Sequence, residues 1–236
     1  MDNRKPDTSI NPPPLPRILD APPAAGKVLV LSPHADDETI GLGGTIVLHR
    51  EQKDPVDVLF LTSGITGNAD GRYAPDEYIE IRRQEARAAC GLLGVDKIEF
   101  WEYPDNFQVT ENDMAVIVPR LVQLIEQGGY EVLYTPHRGE VHTDHHVSAV
   151  LASRALERIT RPVRLIGYEI WAPLGEADVV VNVTRVYPKK LEAAACYQSQ
   201  LALSDFIRLF KSLNGYRSVV LEGRGEYAEA FQYLGG

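Results

Sequence analysis

The stretch 27–38, KVLVLSPHADDE, decides how the rest of the chain is read. Its first half is a short unbroken apolar run, the pattern of a strand buried on both faces, and Pro33 ends it. Its second half puts a histidine and three carboxylates just past the carboxyl end of that strand, where an open α/β sheet carries its ligand-binding loops. Adjacent carboxylates repel one another at neutral pH, and a divalent cation is the usual way to offset that. The plainer alternative is a solvated acidic turn capping the next helix. His34 at the strand end argues against it.

Outward from this stretch, residues 56–62 (VDVLFLT), 97–102 (KIEFWE) and 130–135 (YEVLYT) are further short runs rich in β-branched and aromatic residues. Helical patterns separate them. One spans residues 76–93, after Pro75 and before Gly94, and another spans 110–127, from a Thr-x-x-Asp capping pattern to Gly128-Gly129. The β-α-β-α-β-α-β order predicts a parallel sheet with helices on both faces and right-handed crossovers. A helix from about Thr143, strand-like runs at 163–171 and 179–183, and a helical C-terminal third complete the expected layers.

The 236 residues suffice for one domain with its own core. Residues 1–25 are rich in proline and small polar side chains and read as a peripheral arm, leaving 26–236 as the single domain. Cys90 and Cys196 lie in Ala-rich helical patterns without metal or redox spacing and read as small apolar residues. A formal charge of −9 argues against nucleic acid or an anionic membrane as main partner. No run approaches a membrane span, and MDNRKPDTSI lacks the apolar core of a secretory signal, so the expected location is the cytoplasm.

The second chemical segment is His142-Thr143-Asp144-His145-His146, which holds three of the six histidines. Taken alone it reads best as a helix start with Thr143 or Asp144 as N-cap and solvated imidazoles. His142 and His145 are three apart and can approach one site, whereas His145 and His146 point in different directions, so one of that pair serves as a ligand. In a doubly wound order 3-2-1-4 the loops after the first and fourth predicted strands face each other across the crevice. That brings His34, Asp37 and one histidine of the second segment within reach of one metal, a two-His, one-carboxylate set with an open position. Asp36 is left free to handle a proton.

At these residues the sequence resembles the PIG-L or LmbE-like family of zinc-dependent N-deacetylases. The family's Pro/Ala-His-x-Asp-Asp-Glu motif matches Pro33 to Glu38, and its His-x-Asp-His motif matches His142 to His145. An Arg-x-x-Glu helix followed by Leu-Gly matches Arg82 to Glu85 and Leu93-Gly94, Tyr-x-Asp matches Tyr103 to Asp105, and Tyr-Ala-Glu-Ala-Phe matches Tyr227 to Phe231. The resemblance implies an α/β fold, a three-layer Rossmann-like doubly wound and mostly parallel sheet. It implies one zinc ion on His34, Asp37 and His145, with Asp36 as general base. His142, oriented by Asp144, becomes the acid or oxyanion stabiliser, and Arg82 and Asp105 match substrate contacts. Fe(II) or Co(II) would also suit such nitrogen and oxygen ligands. One departure is Ile65 in the loop 62–67 (TSGITG), where relatives usually carry Glu. His49 and His137 match no ligand position and read as structural.

The implied reaction is hydrolysis of the N-acetyl group of an N-acetylglucosamine-type sugar or glycoconjugate, a small-molecule substrate, with homo-oligomerisation left open. Two other classes compete. Gly41-Leu42-Gly43-Gly44 suggests a dinucleotide fingerprint, but the fingerprint needs glycine at the strand-to-helix turn, where His34-Ala35-Asp36-Asp37 places charges hostile to pyrophosphate. A catalytically silent sugar-binding protein on the same fold is the other, because fold does not fix function. Retention of every ligand candidate and of the base candidate argues against it.

Overall fold

The computed structural model describes residues 14–106 and 109–235. In chain order its elements are β1 (Arg17–Leu19), β2 (Val28–Ser32), α1 (Asp37–Glu51), β3 (Val56–Thr62), α2 (Pro75–Leu93), β4 (Lys97–Tyr103), α3 (Glu111–Gly128), β5 (Val132–Pro136), α4 (Thr143–Leu156), β6 (Arg164–Tyr168), β7 (Val179–Asn182), α5 (Tyr187–Ala194), α6 (Gln198–Leu201), α7 (Phe206–Arg217) and β8 (Ala228–Gly235). The strands form one sheet in the order β1-β7-β8-β6-β5-β2-β3-β4. It is mostly parallel, but β8 runs antiparallel to both β6 and β7.

Successive side chains of a strand point to opposite faces, and β2 divides accordingly between two cores. Val28 and Val30 pack with Ile46 of α1, Ala89 and Cys90 of α2 and Ala193 of α5. Leu29 and Leu31 pack on the other face with Leu121 of α3 and Leu151 of α4. β2 pairs in parallel with β3 on one side and β5 on the other, so the loops leaving β2 and β5 emerge side by side. Helices α2 and α3 end where glycine takes the left-handed conformation, Gly94 at φ 84° and Gly129 at φ 66°.

Two expectations change. Arg17–Leu19, inside the segment read as a peripheral arm, pairs with Val179–Val181 as an edge strand; residues 1–13 of that arm lie outside the described residues. The C-terminal third ends in a strand rather than a helix, and β8 fills the gap between β6 and β7.

The glycines of α1 serve packing. A Cβ at Gly41 would overlap the Tyr168 ring, and one at Gly44 would come within 2.7 Å of Val183. Helix α1 breaks at Leu42 (φ −145°). Around the break the Ile40 carbonyl accepts from Lys190 Nζ at 2.8 Å, and the Gly44 and Thr45 amides donate to Glu229 at 2.9 and 2.8 Å. Lys190 and Glu229, 2.7 Å apart and fully buried, thus staple the broken helix to the sheet.

Candidate active site

The site is built where the β2 and β5 loops meet. Thr62 of β3 fixes the first loop by donating both its amide and its hydroxyl to the Pro33 carbonyl, each at 3.0 Å. The chain then turns sharply: Asp36, the residue before α1, has φ 137°, a region that disfavours any side chain. Glu38 supports the turn by accepting the Asp36 amide at 3.1 Å, while its other oxygen takes the hydroxyls of Thr39 and Tyr197. Of the three acidic residues, Glu38 is therefore a brace, and the carboxylates of Asp36 and Asp37 reach different partners.

Asp37 Oδ2 lies 3.1 Å from His34 Nδ1 and 3.3 Å from His145 Nε2. It also accepts the His34 amide at 2.9 Å. Burial alone would raise the Asp37 carboxyl, yet His145 and His34 hold it well below the usual carboxylate range. Asp36 instead meets Arg82, whose Nη2 lies 3.3 Å from Asp36 Oδ2 and also donates to the Ala35 carbonyl. Burial pushes Asp36 up to about 6, against the pull of Arg82 and with the added repulsion of Asp37.

His142 caps α4, its Nδ1 accepting the Asp144 amide at 3.2 Å. Its ring stacks on that of His145, with centroids 4.8 Å apart. Burial, then the charges on His34 and His145, lower its basicity. The expectation that Asp144 orients His142 through its carboxylate changes here, because the backbone amide makes that contact. The Asp144 carboxylate instead meets His34 Nε2 at 3.0 Å and the Asn106 amide at 2.8 Å. His146 faces away, its Nδ1 3.1 Å from the Arg138 carbonyl.

The two residues expected at substrate have protein partners. Arg82 is 3% exposed and braces the Asp36 turn. Asp105 accepts the amides of Gly64 and Thr66 at 2.8 and 2.6 Å, tying the loop after β3 to the loop after β4. Its carboxylate still lies close to the centre, grouped with His34 and Asp144 within 4.8 Å. His49 bonds Asp54 and Tyr134, and His137 bonds the Ala172 carbonyl, both outside the cluster.

One buried carboxylate escaped the sequence reading. Glu140 Oε2 lies 3.1 Å from His145 Nδ1, and Oε1 accepts the amides of Ile170, Trp171 and Ala172 at 2.8, 3.0 and 3.1 Å. The available signal was an acid two residues before the second histidine segment, since a metal-binding imidazole needs a partner for its other nitrogen.

The donors fit a divalent cation. His145 Nε2 is buried, has no hydrogen-bond partner and faces the Asp37 carboxylate. One nitrogen from each of His34, His142 and His145 falls within 4.8 Å of the others. Burial opposes protonation of His34 and His145, but Asp144 and Asp37 push the first up to about 10, and Asp37 and Glu140 push the second to about 9. Protons on these imidazoles balance the carboxylates, and a cation held by the same nitrogens would have to displace them.

Known proteins resemble this chain in sequence and in fold. Residues 29–156 match the family model described as PIG-L, GlcNAc-PI de-N-acetylase. A probable N-acetyl-alpha-D-glucosaminyl L-malate deacetylase 2 of Bacillus cereus is 32% identical over 73% of this chain and 83% of its own. Among solved structures, the N,N'-diacetylchitobiose deacetylase of Pyrococcus horikoshii superposes with a TM-score of 0.75 at 23% identity, over 89% of this chain and 84% of that one. The 4-carboxy-2-hydroxymuconate hydratase of Pseudomonas putida reaches 0.77 at 23%, over 89% and 97%. The family match spans both the His34–Asp37 turn and the His142–His145 segment, and the chain belongs to the PIG-L family.

Proposed function

We propose that this chain is a metal-dependent N-deacetylase that hydrolyses the acetamide of a GlcNAc-type glycoside in the cytoplasm, with zinc held by His34, Asp37 and His145. The observation that carries the reading is the Asp37 oxygen set between the nitrogens of His34 and His145. A divalent cation bound there activates water and polarises the acetyl carbonyl. Asp36, beside the cluster and near neutrality, accepts the proton of the attacking water. Arg82 and Glu38 fix that carboxylate in its turn.

The Asp144 amide occupies His142 Nδ1, so the neutral ring carries its proton on Nε2 and donates a hydrogen bond to the oxyanion. Asp36 then returns its proton to the nitrogen, which leaves as the amine. Of the two expected roles, acid or oxyanion stabiliser, this assignment takes the second, because His142 is shifted toward its neutral form.

The hydratase relative keeps a second reading alive, since an activated water can also add to an electron-poor alkene. The test is amine release from N-acetylglucosaminyl malate, free N-acetylglucosamine and diacetylchitobiose by zinc-loaded protein, beside hydration of an unsaturated dicarboxylate. Amine release abolished by chelation and restored by zinc is expected. Hydration without amine release would overturn the deacetylase reading, and neither activity would favour the silent binding protein.

A further inference from the structure

We propose that Glu140 is a positioning residue that sets which nitrogen of His145 carries a proton and, through the same carboxylate, anchors the loop of Trp171 beside the site. The inference rests on the metal-site reading of His145 given above. Glu140 is 5% exposed and has four partner groups, the successive amides of Ile170, Trp171 and Ala172 and the His145 ring, with the Trp171 amide shared between both carboxylate oxygens. Successive amides converging on one oxygen form an anion-holding concavity. With three amides on Oε1, the carboxylate turns Oε2 to His145 as an acceptor, and Nδ1 donates to it. Nε2, the buried nitrogen without a partner that faces Asp37, is then the one that gives up its proton when a cation binds.

The loop gains a second tie from His137 Nε2, 2.7 Å from the Ala172 carbonyl. Trp171 in the middle of the loop remains 43% exposed. A Glu140 that only clamps the loop would serve equally well as a glutamine. A Glu140 that also sets His145 would not. Glutamine keeps an oxygen for the three amides but turns an N–H toward His145 Nδ1. That nitrogen must then accept, and the ring proton moves to Nε2, where it blocks a cation.

The test measures zinc affinity of the full chain by competition with a chelator, together with acrylamide quenching of tryptophan fluorescence. Quenching reports the exposed Trp171, because Trp101 is only 7% exposed. Glu140→Gln should bind zinc about 10- to 100-fold more weakly, the usual scale for losing such an outer partner, with quenching unchanged. Glu140→Ala should weaken zinc binding and raise quenching as the loop is released. Near-wild-type zinc affinity in Glu140→Gln, or unchanged quenching in Glu140→Ala, would overturn the proposal. If the wild-type chain takes up no zinc, the metal-site reading fails and Glu140 with it; if the wild type binds and Glu140→Gln binds as tightly, only the Glu140 proposal falls.

Discussion

Two of the buried charge clusters among the described residues differ in what they leave over. Lys190 and Glu229 are both inaccessible, and every donor of the ammonium is used, on Ile40, Asn214 and Glu229. Glu229 in turn accepts from Gly44 and from both the amide and hydroxyl of Thr45. Asp37, Asp144 and His145 of the active-site cluster are about as deeply buried, yet His145 Nε2, Asp144 Oδ1 and Arg82 Nε have no partner. These are three of five such buried side-chain atoms among the described residues. Burial of charge does not by itself mark a site; capacity left unfilled by the protein does.

The sharpest way to break this contrast is inside the Asp36-Asp37 pair. Asp36→Asn should keep the metal and lose kcat by about 10²- to 10⁴-fold, the scale of a general base. Asp37→Asn should lose metal instead. Metal stoichiometry beside kcat decides, and the reverse pattern would exchange the two roles.

Lys190→Ala probes the other cluster. Leaving Glu229 buried without its partner should cost about 3–5 kcal/mol of stability, read from denaturant unfolding, while metal content and turnover of the folded fraction stay unchanged. A variant that unfolds no more easily would show that the broken helix needs no staple.

Arg82→Ala should have the smallest effect of the three. It removes the brace of Asp36, so kcat should fall by about 10²-fold with KM little changed, as expected when a reacting group is misplaced. The guanidinium lowers the Asp36 pKa, so its loss should move the acidic limb of the rate profile to higher pH. A rise in KM at constant kcat would return Arg82 to the substrate-contact role that the family motif implies.

The half of the sheet holding β2 to β5 was legible because β2, β3 and β5 are short, fully buried runs and β4 interleaves aromatic and β-branched residues with charged ones. β3 begins and ends where the pattern placed it, and β2 and β5 differ by one or two residues at their ends. β8 was not legible. Its sequence AEAFQYLG carries an acid, and the lysine that neutralises Glu229 lies 39 positions away on helix α5. β1 was hidden by flanking prolines. At the site, motif spacing named residues that do gather: His34, Asp36, Asp37, His142, Asp144 and His145. What spacing could not give was direction. Arg82 turns to Asp36, the Asp144 carboxylate turns to His34, and Glu140 finds its partners on a loop 30 residues further on.

β1 also decides how the molecule meets its neighbours. Without it β7 would present an open ladder of amides and carbonyls, a template on which a strand of another chain could grow. Three residues fill that ladder, and the prolines on either side, Pro14 and Pro16 before them and Pro22 and Pro23 after, have no amide hydrogen to extend it. Among the described residues, the proline-rich segment thus covers the β7 edge with a strand of three residues and flanks it with positions that cannot donate to a further ladder.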